Sequence, residues 1–257
     1  MIVETDLGPG YLKAIGNPAG LHCLASEYVA TQLAEWLGLS TLDYGIVPVD
    51  AELDDIRLYS GRKAQTGPAF ITKLEAGDPW DGSPSALRMV VNPEEISKIV
   101  VFDTWVLNRD RKSRLMAVTD NVLLSTSAAP TGQLRLVAID HTHCFVAEEC
   151  GRNVDLEKLA KPVEPEVFGL FPEFRKYLKR AIIRETCERL GRIESGTVSA
   201  IVESIPDEWQ INRSIRDRWT EQILERANWT ATEIEERVQG SLHSQLDLEF
   251  GESGEPS

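Results

Sequence analysis

The hydrophobic pattern divides the chain into a strand-rich beginning and a helix-rich remainder. Ile2 to Glu4 and Tyr11 to Ile15 are short apolar runs around Leu7-Gly8-Pro9-Gly10, which predicts two strands joined by a glycine-bearing turn. From Leu24 to Leu39, residues Ala25, Val29, Leu33, Trp36 and Leu37 recur at helical spacing, and Gly38 stands where a left-handed C-terminal cap belongs. Tyr44 to Val49, Ile56 to Tyr59 and Ala69 to Leu74 read as three further strands. A small sheet with one helix is the natural assembly of residues 1–75.

The pattern then breaks. Residues 76–85, within a Gly-, Pro- and Ser-rich stretch that runs to 92, read as a connector to a second lobe over 86–242. Asn92-Pro93-Glu94-Glu95 combines an N-cap, a proline at the first helical position and acids at the positive end of the helix dipole. Ile96 to Leu107 follows as a helix apolar almost all round, so it should run through the core of that lobe. Asn121 to Leu124 and Leu134 to Ile139 predict a hairpin with a longer loop. Helices are expected from Pro172 through Leu190, Ser195 through Ser204 and Ile211 through Ala227, with Thr230-Ala231-Thr232-Glu233 as a capping box opening a fourth. The acidic tail, 243–257, reads as disordered. The fold class expected is α+β, with a small β-rich lobe and a mostly helical one.

Composition narrows the function classes. Apolar residues are 42% and charged residues 26% of the 257, as in folded water-soluble chains. With 41 acidic against 27 basic residues the formal charge is -14, a field that repels nucleic-acid backbones and anionic membranes, so neither is an expected partner. No stretch has the length of a membrane span, and the first residues lack a signal peptide's basic start, so a cytoplasmic protein is expected. Cys23, Cys144, Cys150 and Cys187 are too scattered for a disulfide framework. His141-Thr142-His143-Cys144 with Cys150 can be read as a zinc cluster, but it lacks paired ligand spacing.

Two acids stand where a core does not need them. Asp110 follows the buried helix and Asp140 ends the strand Leu134 to Ile139, so both can face one cleft, bind a divalent metal and take up a proton. The alternative is a solvated Asp110 and an Asp140 that caps a turn. Phosphoryl transfer by kinases uses a glycine turn, a strand lysine, a helix glutamate, a catalytic-loop Asp, a metal-binding Asn and a second metal Asp. Gly8 and Gly10, Lys13, Glu27, Asp110, Asn121 and Asp140 occur in that order. Singly, Lys13 reads first as a solvated strand lysine and Glu27 as an ordinary acid of a helix's first turn.

Phe102-Asp103-Thr104-Trp105-Val106-Leu107-Asn108-Arg109-Asp110-Arg111 and Val137-Ala138-Ile139-Asp140-His141-Thr142-His143-Cys144-Phe145 resemble the Asn-x-Asp-Arg catalytic loop and the aspartate metal motif of the HipA-like kinases, bacterial relatives of the phosphatidylinositol kinases. Weaker similarity runs through Tyr11-Leu12-Lys13, Leu24-Ala25-Ser26-Glu27 and Ile205-Pro206-Asp207-Glu208-Trp209. The resemblance implies a two-lobed kinase using ATP and Mg²⁺, with Gly8, Gly10, Lys13 and Glu27 serving the nucleotide, Asn121 and Asp140 the metal, and Asp110 the acceptor hydroxyl. Asp103 becomes a candidate acceptor for Arg111 or backbone N–H groups, or else a solvated helix acid. Lys112 and Leu115 stand where the family has His and Asn, so the metal role passes to Asn121 across a lengthened loop. The early glycine turn leaves little room for the strand that normally precedes it. A protein Ser/Thr is the first expected acceptor, a small molecule the second and an inositol lipid the least. The alternative function is a pseudokinase: a nucleotide-gated binding or regulatory module working with a partner protein.

Overall fold

The computed structural model describes residues 1–111, 121–127, 129–145 and 165–251. A four-stranded antiparallel sheet comes first: β1 (Ile2–Thr5), β2 (Gly8–Lys13), β3 (Tyr44–Val49) and β4 (Gly67–Lys73), in spatial order β1-β2-β4-β3. The strand ahead of the glycine turn is therefore present, pairing Ile2 with Tyr11 through Thr5 with Gly8. Alternation along β2 sends Leu12 into a small core with Ala14, Val49, Leu58, Ala64 and Ala69, while Tyr11 and Lys13 take the other face. The strand expected at Ile56 to Tyr59 does not form. The Leu58 N–H bonds to the Arg62 carbonyl and the Gly61 N–H to that of Leu58, so the chain folds back on itself with a single bridge between Arg57 and Lys63.

Helix α1 (Leu21–Leu37) crosses behind this sheet and ends at Gly38, whose φ of 84° is the left-handed cap the pattern predicts. Its buried face joins the main core, which continues through the helical lobe. Within the expected connector, Gly77–Pro79 is strand β5, the edge of a second sheet with β6 (Val122–Ser125) and β7 (Arg135–Ala138). Trp80 is buried against Phe171 and Phe174 at ring distances of 5.4 and 5.0 Å, so an aromatic anchor makes this stretch part of the second lobe. A short helix, α2 (Pro84–Leu87), follows.

Helix α3 (Glu94–Val106) is buried on nearly every side, as its composition requires. Its entry differs from expectation. The Asn92 amide is not a cap; it donates to the Leu136 carbonyl and accepts from the Leu136 N–H, both at 2.9 Å, fixing the helix start to β7. Pro172 opens a 3-10 segment, Pro172–Tyr177, separate from α4 (Arg180–Leu190), and α5 (Ser195–Glu203) lies where expected. The last two predicted helices are one, α6 (Arg213–Gly251). The supposed cap Thr230 is buried, and Thr232 returns its hydroxyl to the carbonyls of Asn228 and Trp229, so neither interrupts the helix. The tail is helical as far as Gly251, since Leu246, Leu248 and their neighbours continue good helix formers without a breaker; residues 252–257 lie outside the described residues.

Candidate active site

Between the sheet lobe and the second sheet lies a cavity of about 310 Å³, walled by Tyr11, Leu42, Phe70, Leu74 and Leu123 and by the polar side chains of Lys13, Glu27, Asn121 and Asp140. That mixture of apolar wall and a few convergent polar groups suits a small organic ligand.

Lys13 ends β2, and its ammonium meets three acceptors: Glu27 Oε2 at 2.6 Å, Asp140 Oδ1 at 2.8 Å and Thr142 Oγ1 at 2.8 Å. Three donors are thus matched by three acceptors. Burial alone would lower the Lys13 pKa, but the two carboxylates reverse this and hold it above the ordinary lysine value. Burial likewise acts to raise Asp140, yet Lys13 and the Thr142 hydroxyl keep its carboxyl well below the usual range. Glu27, in the second turn of α1, also accepts the His141 N–H at 3.1 Å from both oxygens. Thr142 Oγ1 stands 2.9 Å from Glu27 Oε2 and 2.6 Å from Asp140 Oδ1, so its one proton serves either. Asp140 has a φ of 56°, a left-handed conformation that Asp tolerates better than most residues, and this bend turns the chain from β7 toward α1.

Asp110 sits on the 3-10 turn Arg109–Arg111, reached from α3 through the left-handed Leu107. Its Oδ2 lies 3.4 Å from Asn121 Nδ2 and 3.4 Å from His143 Nε2. Asn121 therefore connects the cavity wall to Asp110. Behind the turn, Arg111 and Asp103 form a fully buried pair, Nη1 to Oδ1 at 2.9 Å. Asn108 donates to the same carboxylate oxygen at 3.1 Å, while Arg111 Nη2 donates to the Ile139 carbonyl at 2.7 Å and faces His141 Nδ1 at 3.2 Å. Asp103 is not a solvated helix acid: burial pushes its pKa up to about 6 although Arg111 pulls the other way. Burial and the neighbouring Arg111 keep His141 uncharged.

The structure brings Lys13, Glu27, Asn121 and Asp140 onto one cavity wall with Asp110 next to it. Gly8 and Gly10 are not on that wall. Gly8 closes the β1–β2 hairpin at a φ of 104°, with Thr5 Oγ1 donating to its carbonyl at 2.7 Å. A Cβ at Gly10 would meet Ile71 Cδ1 at 2.7 Å, so that glycine permits β2 to lie close on β4. Lys112 and Leu115 lie outside the described residues, as does Cys150. Among the described residues no group of three or more His, Cys, Asp or Glu side chains is placed to hold a metal; the zinc reading also used Cys150, which lies outside them. Burial raises the Cys144 thiol well above its ordinary pKa, as expected of a packing residue. Thr142, His141 and His143 are site residues that the pattern did not single out for this role; their only signal was three polar residues directly after a strand-end acid.

A model of the HipA-like kinase family matches residues 11–239. No curated protein matches the chain. Among solved structures, that of a Helicobacter pylori proinflammatory kinase, CtkA, is similar at 13% identity and a TM-score of 0.48, covering 91% of this chain and 94% of that one. Among the described residues, no helix is long and apolar enough to cross a membrane.

Proposed function

This chain belongs to the HipA-like kinase family, and from that premise we propose that it transfers the γ-phosphoryl group of ATP, with Mg²⁺, to a serine or threonine hydroxyl of a protein substrate in the cytoplasm. The observation that carries the reading is the ionic cluster of Lys13, Glu27 and Asp140 on the wall of a ligand-sized cavity. A strand lysine held by a helix glutamate, beside an aspartate on a loop of the opposite lobe, is what phosphate binding by a kinase requires.

The residues fit the cofactors. Asp140 and Asn121 offer oxygen donors on the same wall, and Mg²⁺ is characteristically held by one or two such side chains together with substrate phosphates. The ammonium of Lys13 already occupies the carboxylates as a stand-in cation. When bound, Mg²⁺ supplies neutralisation of the charge on the transferring phosphate. Lys13 neutralises the α and β phosphates, and Glu27 keeps Lys13 aimed. Asp110 orients the acceptor hydroxyl and takes its proton as the oxygen bonds to phosphorus and ADP leaves. Gly8 and Gly10 serve through the hairpin they shape, directly ahead of Lys13.

One contact favours a second reading, a nucleotide-gated module that regulates a partner protein without catalysis: Asn121 spends its amide on Asp110 at 3.4 Å, engaging the base. Single-turnover assays with labelled ATP separate the two. Label passing to a protein hydroxyl supports the kinase; nucleotide that binds and returns intact supports the regulatory module.

A further inference from the structure

On the kinase reading above, we propose that Lys13 makes the cleft specific for a metal–nucleotide complex over free divalent metal, because its ammonium, tethered by Glu27, sits on the Asp140 carboxylate until phosphate draws it off Asp140. Lys13 would then set the order of loading as well as bind phosphate.

The coordination of the Lys13 nitrogen is full. The three ammonium protons have three partners, Glu27 Oε2, Asp140 Oδ1 and Thr142 Oγ1, all within 2.8 Å. Asp140 Oδ1 already has Lys13 and the Thr142 hydroxyl against it, so any metal that takes this carboxylate does so beside the ammonium. A divalent ion approaching alone meets a positive charge already seated on that carboxylate, and the two repel. Free metal is therefore disfavoured.

Phosphate changes the balance. Lys13 ends its strand on the cavity wall with 27% of its side chain exposed, and its four-carbon stem is flexible, so the ammonium can swing toward an anion in the cavity. Its departure opens Asp140 Oδ1, and the arriving polyphosphate adds the oxygens a metal lacks. Glu27, only 4% exposed and held by the His141 N–H, does not follow, so Lys13 is the moving part. Metal and nucleotide binding are then coupled through one side chain, and removing its charge should uncouple them.

Binding of Mn²⁺ alone, read from the electron-spin signal of the free ion, tests this without any turnover. Wild type should bind Mn²⁺ weakly by itself and about tenfold or more tightly once a non-hydrolysable ATP analogue is added. Lys13→Met, with Lys13→Gln as a second charge-free variant and circular dichroism to confirm the fold, should bind Mn²⁺ without nucleotide about tenfold more tightly than wild type. Adding Asp140→Asn to Lys13→Met should remove that gain, and Lys13→Arg, which keeps the charge, should stay closed. A wild type that ignores the nucleotide removes the kinase reading. Charge-free variants that bind Mn²⁺ no better than wild type, or a Lys13→Arg as open as Lys13→Met, overturn the present inference however the nucleotide arm falls.

Discussion

Two ionic networks stand on either side of Asp140, and they differ in what they can give up. Lys13, Glu27, Asp140 and Thr142 form one at the cavity, where the Lys13 and Asp140 side chains keep 27% and 41% of their surface exposed. Asp103, Arg111, Asn108 and His141 form the other behind the turn that bears Asp110, where the Asp103 and Arg111 side chains are 0% exposed. The open network can exchange its cation for a ligand, since water and phosphate replace what is broken. The sealed one has no such substitute. Its use is positional: Arg111 reaches from the turn bearing Asp110 to the carbonyl of Ile139 and the ring of His141, the residues flanking Asp140. Chemistry should therefore respond to the first network and folding to the second.

The largest effect should come from breaking the sealed pair. Asp103→Ala leaves the Arg111 guanidinium buried without its counter-charge and should cost about 3–5 kcal/mol of stability in urea unfolding. Asp140→Ala, at the open network, should cost less stability than that while transfer is lost. Equal stability losses in the two variants would erase the distinction.

Acidity sharpens it. The folded pKa of Asp103, about 6, lies above its ordinary value of 3.8. A raised pKa means that the folded state binds the proton more tightly. The stabilisation from this group is full below pH 3.8, fades as pH rises, and is gone above pH 6. Unfolding of wild type relative to Asp103→Asn should show wild type gaining stability as pH falls through that window. A relative loss on acidification would contradict the burial-dominated account of Asp103.

Asn121→Ala should slow transfer about 10²-fold, since a lost metal ligand misplaces the phosphate, and should change stability little. Transfer rates at several Mg²⁺ concentrations check this, and an unchanged rate would remove Asn121 from the site. The smallest effect is expected at Gly10, where Gly10→Ala should cost about 1 kcal/mol by pressing on Ile71, with nucleotide affinity unaltered. A loss of nucleotide affinity there would return Gly10 to the phosphate site.

What the sequence disclosed follows from the range of the interactions involved. Periodicity is local, and it located α1 with its Gly38 cap, the all-apolar α3 and the β6–β7 hairpin. The acids Asp110 and Asp140 stood out because a buried helix and a strand each end in one. Long-range pairings left no such trace. Thr142 meets Glu27 across 115 positions, and Asn92 spends its amide on Leu136 instead of capping α3. Thr230 and Thr232 spell a cap, but burial and back-bonding make them interior residues of α6. Residues 56–59 have strand composition, but the turn at Ser60-Gly61 folds them onto residues 62–64 with one bridge, Arg57 to Lys63, and no ladder.

The kinase reading requires Lys13, Asn121 and Asp140 to receive a metal nucleotide together. A crystal structure with Mg²⁺ and a non-hydrolysable ATP analogue tests it most directly. The account predicts phosphate oxygens against Lys13, and Mg²⁺ held between those phosphates, Asp140 and Asn121. Nucleotide bound elsewhere, or bound in the cleft with Lys13 still seated on Asp140 and the metal out of reach of Asn121, would contradict it.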